Sequence, residues 1–109
     1  MSDLLGSFEQ LVLLAILRLR ENAYGRRIHE EIQSRLGKPT SLGAVYLTLE
    51  RLEGKGYVTS AFGDATPSRG GRPKRYFDIA APGEAALRDT RATIDGFWQG
   101  VAVRAGGLQ

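Results

Sequence analysis

The 109-residue chain contains no cysteine and a single histidine, His29. Those two shortages remove a disulfide framework, a Cys-rich zinc site, a redox dithiol and a thiol nucleophile together. A reducing, cytoplasmic setting is the expectation that follows. Long apolar runs are missing as well: the longest, Leu11 to Leu17, falls far short of a membrane span. The opening stretch MSDLLGSFEQ carries Asp3 and Glu9 and no basic leader segment, so a soluble, unexported protein without a membrane partner is expected.

Catalytic constellations are equally scarce. His29 lies mid-helix among charges with no nucleophile or carboxylate signature around it, and reads as an ordinary surface residue. Glu30 with Glu31, and Glu50 with Glu53, are paired carboxylates in sequence, but on helices such pairs are far more often solvated or ion-paired. Gly70 and Gly71 do not lead into a helix and lack the Gly-Lys-Ser/Thr ending of a phosphate-binding loop. No metal site and no cofactor are expected, and an enzyme is not.

Charge of one sign is also in short supply, since the net charge is only +3. Its placement is more telling. Four of the 15 basic residues (Arg69, Arg72, Lys74, Arg75) and one of the 12 acids lie between Asp64 and Arg75, so the remainder of the chain balances to zero. A basic cluster alone is as compatible with a solvated turn as with phosphate contact.

Helical periodicity accounts for most of what is present. Phe8, Leu11, Val12, Ala15 and Leu19 mark one face of a first helix, but Leu13, Leu14, Ile16 and Leu17 make it apolar almost all round, so it must be covered on more than one side. Asn22 can cap a second helix in which Tyr24, Ile28, Ile32 and Leu36 recur every four residues, with Gly37 as its stop. Thr40 or Ser41 caps a third, with Leu42, Val45, Leu49 and Leu52 on one stripe and Lys55-Gly56 at its end. Tyr57 to Phe62 and Lys74 to Ala80 read as strands by their aromatic and β-branched content. Pro82 suits the first turn of a last helix, on which Leu87, Ile94, Trp98 and Val101 share a face. The tail from Ala105 is expected to fray.

The order helix, helix, helix, strand, basic loop, strand, helix is that of a winged helix. The fold class is therefore mainly α with a two-stranded β-wing: a winged helix-turn-helix over residues 1–81, followed by a C-terminal dimerisation helix and frayed tail over 82–109. On the third helix Ser41, Gly43, Ala44, Tyr46, Thr48 and Arg51 lie off the apolar stripe, as a helix entering the DNA major groove requires. In the alternative Ser41 only caps and Tyr46 packs on a neighbouring helix. Arg69, Arg72, Lys74 and Arg75 are the candidate wing contacts to phosphates or the minor groove. The last helix carries more apolar surface than so small a domain needs. Leu87, Ile94, Trp98 and Val101 are therefore expected to meet Leu13, Leu14 and Leu17 of a second copy.

The run SLGAVYLTLERLEGKGYV, Ser41 to Val58, resembles the recognition helix and first wing strand of PadR-family repressors. GRPKRYF, Gly71 to Phe77, resembles their wing, and Tyr24-Gly25 fits as well. The likeness spans roughly Leu4 to Leu87 and is of the short type with one dimerisation helix. Leu47 stands where many relatives have proline, and Ala80-Ala81-Pro82-Gly83 lacks the threonine that commonly caps the last helix. The resemblance implies a cytoplasmic homodimeric regulator of transcription, a repressor on a palindromic operator, with double-stranded DNA as its partner. It also implies an aromatic effector site at Phe97 and Trp98, whose plain alternative is that Trp98 is interface core. The rival class is a winged-helix module that docks a protein in place of DNA, against which the Gly-Arg-Pro-Lys-Arg wing argues.

Overall fold

The computed structural model describes residues 4–63 and 73–103. Helix α1 (Ser7–Leu19) runs into a short 3-10 turn (Arg20–Asn22), followed by α2 (Gly25–Leu36) and α3 (Leu42–Gly54). Strands β1 (Val58–Phe62) and β2 (Arg75–Ile79) then pair antiparallel, and α4 (Ala81–Trp98) closes the order. The register sets Val58 opposite Ile79, Ser60 opposite Phe77 and Phe62 opposite Arg75.

One core joins these elements. Val12, Leu13 and Ile16 of α1 meet Ile28 and Ile32 of α2, Val45, Leu49 and Leu52 of α3, and Val58 and Phe77 of the sheet. Each buried aliphatic side chain of this kind stabilises the fold by about 1.5–3 kcal/mol, which is why three short helices hold together without a disulfide. The sheet is fastened at its base: the Phe77 amide donates to the Ala23 carbonyl at 2.8 Å, and Tyr24 bridges to Tyr76.

Polar ties reinforce the helix packing. Glu31 of α2 faces Arg18 of α1 at 3.4 Å and its own neighbours Arg27 and Arg35 at 3.8 and 2.6 Å. Glu9 accepts from the Gly6 amide at 3.0 Å, satisfying one free donor at the start of α1, and from Lys55 Nζ at 2.9 Å at the end of α3. The hydrogen bond from Lys55 is the chief reason the Glu9 carboxyl titrates below its ordinary value. A carboxyl lowered in the folded state adds stability above its unfolded value and loses it as pH falls through the folded one. Glu9→Gln is therefore expected to cost about 0.5–1 kcal/mol at neutral pH. That difference should vanish in acid, as thermal melts of both proteins across pH would show; a pH-independent gap would mean the charge plays no part.

Several boundaries differ from the sequence expectation. Asn22 ends the 3-10 turn and does not cap α2, which starts after Tyr24. Tyr57 stays outside β1 because its amide closes onto the Leu52 carbonyl at the end of α3, and β2 excludes Lys74 and Ala80. Leu13, expected at a dimer interface, is wholly buried in its own chain as part of the central core. Val101 lies beyond α4: the helix stops at Trp98, and Gly100 turns the chain with φ +77°.

Helix α4 is attached by its first half only. A side chain at Gly83 would run into the Tyr57 carbonyl, so a glycine lets the helix start close to the wing base. The buried Thr90 hydroxyl accepts from the Leu5 amide at 3.1 Å. From Arg91 to Trp98 every residue is exposed on the single chain.

Candidate nucleic-acid interface

The presentation of α3 is set by the turn before it. Gly37 ends α2 in the left-handed conformation, φ +71°, and sends the chain back. His29 and Gln33, one helical turn apart on α2, then clasp Thr40 from both sides. The His29 ring nitrogen donates to the Thr40 carbonyl at 2.6 Å, and the Thr40 amide donates to Gln33 Oε1 at 3.0 Å. His29 is thus a half-buried brace and not a plain surface residue. Its i,i+4 spacing from Gln33 was the available sign. Ser41 follows as the N-cap, its Oγ accepting from the Ala44 amide at 3.1 Å.

On α3 Val45, Thr48, Leu49 and Leu52 form the buried stripe. Thr48, expected among the base contacts, is only 3% exposed and is removed from that set. It lies three residues after Val45 and four before Leu52, which places it in the stripe despite its hydroxyl. Gly43, Leu47 and Arg51 are exposed and Ala44 is half-buried. Tyr46 lays its ring across Gly25 of α2, where any Cβ would overlap it. The ring is nevertheless 44% exposed.

The wing is braced to α3 through Arg75. Its guanidinium reaches Glu53 Oε1 at 2.6 Å and Glu50 Oε2 at 3.2 Å. The Ser60 hydroxyl accepts from Arg75 Nε at 3.0 Å and donates to Glu53 Oε2 at 2.8 Å. Two carboxylates more than neutralise one guanidinium, which also covers the Phe77 ring at 5.1 Å. Arg75 therefore serves as a strut between helix and wing, and the expectation of a free phosphate contact there is corrected. Lys74, one residue earlier, is exposed with its ammonium 4.1 Å from the Tyr24 ring, which in turn meets Tyr76 edge-on at 5.6 Å. Arg69 and Arg72 lie outside the described residues.

The remaining expected residues fall elsewhere. Leu14, Leu17, Leu87 and Ile94 line a cavity of about 570 Å³ between α1 and α4. A second, of about 730 Å³, lies between α1, the 3-10 turn and the outer face of the wing, with Leu17, Tyr76 and Ile79 in its wall. Phe97 and Trp98 are 78% and 55% exposed at the end of α4 and line neither cavity. Among the described residues no group of three or more metal-ligating side chains gathers, and no helix is long and apolar enough to cross a membrane.

A helix with an exposed outer face, a clasped turn before it and a braced β-hairpin after it is a winged helix-turn-helix. The family model of the transcriptional regulator PadR-like family matches residues 13–89. The chain belongs to the PadR-like family. Solved structures agree on the fold of this PadR-like regulator. A PadR family transcriptional regulator from Eggerthella lenta DSM 2243 is 26% identical, with a TM-score of 0.65 over 84% of this chain and 77% of that one. A PadR-like transcription factor from Bacteroides fragilis is 20% identical, with a TM-score of 0.69 over 84% of each chain. A Streptococcus transcriptional regulator is 24% identical, with a TM-score of 0.67 over 84% and 85%. No match was found among curated proteins. The PadR-like family is one of transcriptional regulators, not of enzymes.

Proposed function

We propose that this PadR-like regulator is a cytoplasmic repressor that binds a palindromic operator as a homodimer, with α3 in the major groove and the wing on the backbone or minor groove. The observation that carries the reading is the outer face of α3: small or exposed side chains at Gly43, Ala44, Leu47 and Arg51, on a helix fixed at both ends by the Thr40 clasp and the Arg75 strut. Small residues admit the helix backbone to the groove, and a fixed helix loses little conformational entropy on binding. Ser41, through the amides at its helix end, Tyr46, through its exposed ring, and Lys74 then face phosphates, and the charges of Arg69 and Arg72 are proposed as further phosphate contacts.

The division of labour follows from the attachment of α4. Residues 1–81 read DNA and residues 82–109 supply the dimer arm, with Leu14, Leu17, Leu87, Ile94 and Trp98 between the subunits. A flat apolar or aromatic effector, taken up against Phe97 and Trp98 in the dimer, would release the operator by changing the spacing of the two reading heads.

Footprinting with the full chain tests the core of this reading. Protection is expected on a two-fold symmetric site with half-site centres about one helical turn, or a multiple, apart. Arg72→Ala with Lys74→Ala should weaken binding to all sequences alike and lower the salt slope by about two phosphate contacts, since each removes one neutralising charge. A one-sided footprint, or an unchanged slope in titrations at several ionic strengths, would contradict it.

A further inference from the structure

We propose that α3 reads a thymine methyl group through Leu47, so that each operator half-site carries a thymine at one fixed position facing that side chain. The proposal rests on the DNA-binding reading above and adds the base class that the helix selects.

Leu47 is 64% exposed, the most exposed of the large apolar side chains on α3. At 3.6 residues per turn it lies about 150° around the helix from the centre of the buried stripe, close to the crest that enters a groove first. Four residues before it stands Gly43, and three before it Ala44, so nothing larger than a methyl shields its N-terminal side. Four of the polar side chains at and along this helix are already engaged. Ser41 caps the helix, Thr48 is buried, and Glu50 and Glu53 hold Arg75. Arg51, one turn after Leu47 and on the same side of the helix, keeps an exposed charge beside it.

What remains at the crest is an apolar side chain without donor or acceptor. Of the four bases, thymine is the one that offers an apolar group, its 5-methyl, on the major-groove edge. A leucine on a groove-facing crest is therefore matched to thymine and mismatched to the exposed amino and carbonyl edges of the others. The same exposure gives the side chain no task inside its own chain.

Selection of bound sites from random duplexes by the full-length protein supplies the substrate for the test. Each thymine of the selected site is then replaced singly by uracil, which removes only the methyl, and affinity is measured for the wild type and for Leu47→Ala. One position per half-site should weaken wild-type binding about fourfold, and both together about fifteenfold, the worth of one buried methyl each. Leu47→Ala should be indifferent to the same replacement, and its melting temperature should match the wild type because the side chain is exposed. A flat uracil profile in the wild type, or a penalty that persists in Leu47→Ala, overturns the thymine proposal while leaving DNA binding intact. Failure to select any duplex overturns both.

Discussion

Gly25→Ala is expected to destabilise the protein by about 1–2 kcal/mol, the reverse of what the same change does in an ordinary helix, where it stabilises by about 0.5–1 kcal/mol. Gly25 opens α2 and is buried, and the Tyr46 ring of α3 lies where its Cβ would be. The overlap involves the outer ring atoms and hydroxyl of Tyr46, so the ring, and not the backbone, must give way. Displacing it exposes apolar area that α2 now covers and loosens the angle between the two helices of the helix-turn-helix.

The diagnostic measurement is a double-mutant cycle. In a Tyr46→Ala background the obstacle is gone, and Gly25→Ala should recover its ordinary stabilising sign. Chemical denaturation of the four proteins reads both signs directly. If Gly25→Ala destabilises equally in both backgrounds, the ring contact is not the cause. DNA affinity should follow the same pattern, falling in Gly25→Ala through the moved helix and the moved Tyr46 side chain.

The order of elements was legible in the sequence because periodicity and turn residues act locally: Gly37 ends a helix and Ser41 caps one wherever the rest of the chain goes. What was not legible depended on which side of an element met a neighbour. Helix α1 is apolar almost all round, so nothing in its sequence separates Leu13, turned to the core, from Leu14 and Leu17, turned to solvent. Thr48 was misplaced for the opposite reason, its polar identity outweighing a position squarely in the apolar stripe.

Arg75 shows a third limit. It belongs by composition to the basic wing, and only the pairing of β2 with β1, next to α3, brings it within reach of Glu50 and Glu53. The same holds for His29, whose partner is a backbone carbonyl eleven residues away. Composition therefore overstated the charge offered to DNA and understated how firmly the reading helix is held. A strut of one guanidinium on two carboxylates sets the wing angle, and free charge for phosphates must come from the other wing cations.

Replacing Leu14 and Leu17 together by aspartate is expected to turn the proposed dimer into a monomer without unfolding it. Both side chains are already exposed on the single chain, so their loss costs the monomer little. Along with Leu87 and Ile94 they wall the cavity between α1 and α4, and the outer half of α4 stands clear of the rest of the chain, a helix without cover. Two-fold pairing would bury what remains exposed of four leucines, two from each copy; at 44% and 39% exposure that is worth about 0.6–1.2 kcal/mol apiece. Losing them raises the dimer dissociation constant by roughly two to three orders of magnitude, before any penalty for burying carboxylates. Sedimentation at micromolar concentration should report half the wild-type mass, with an unchanged circular dichroism spectrum. Operator affinity should fall with it, because each head then binds without the effective concentration its twin provides. Trp98 gives an independent reading from the far end of α4: its fluorescence should shift to the red in the double aspartate variant as the ring leaves the subunit boundary. Aromatic compounds that quench it in the wild type should also release DNA. A variant that stays dimeric with Trp98 unshifted would place the subunit contact elsewhere and leave α4 without its proposed task.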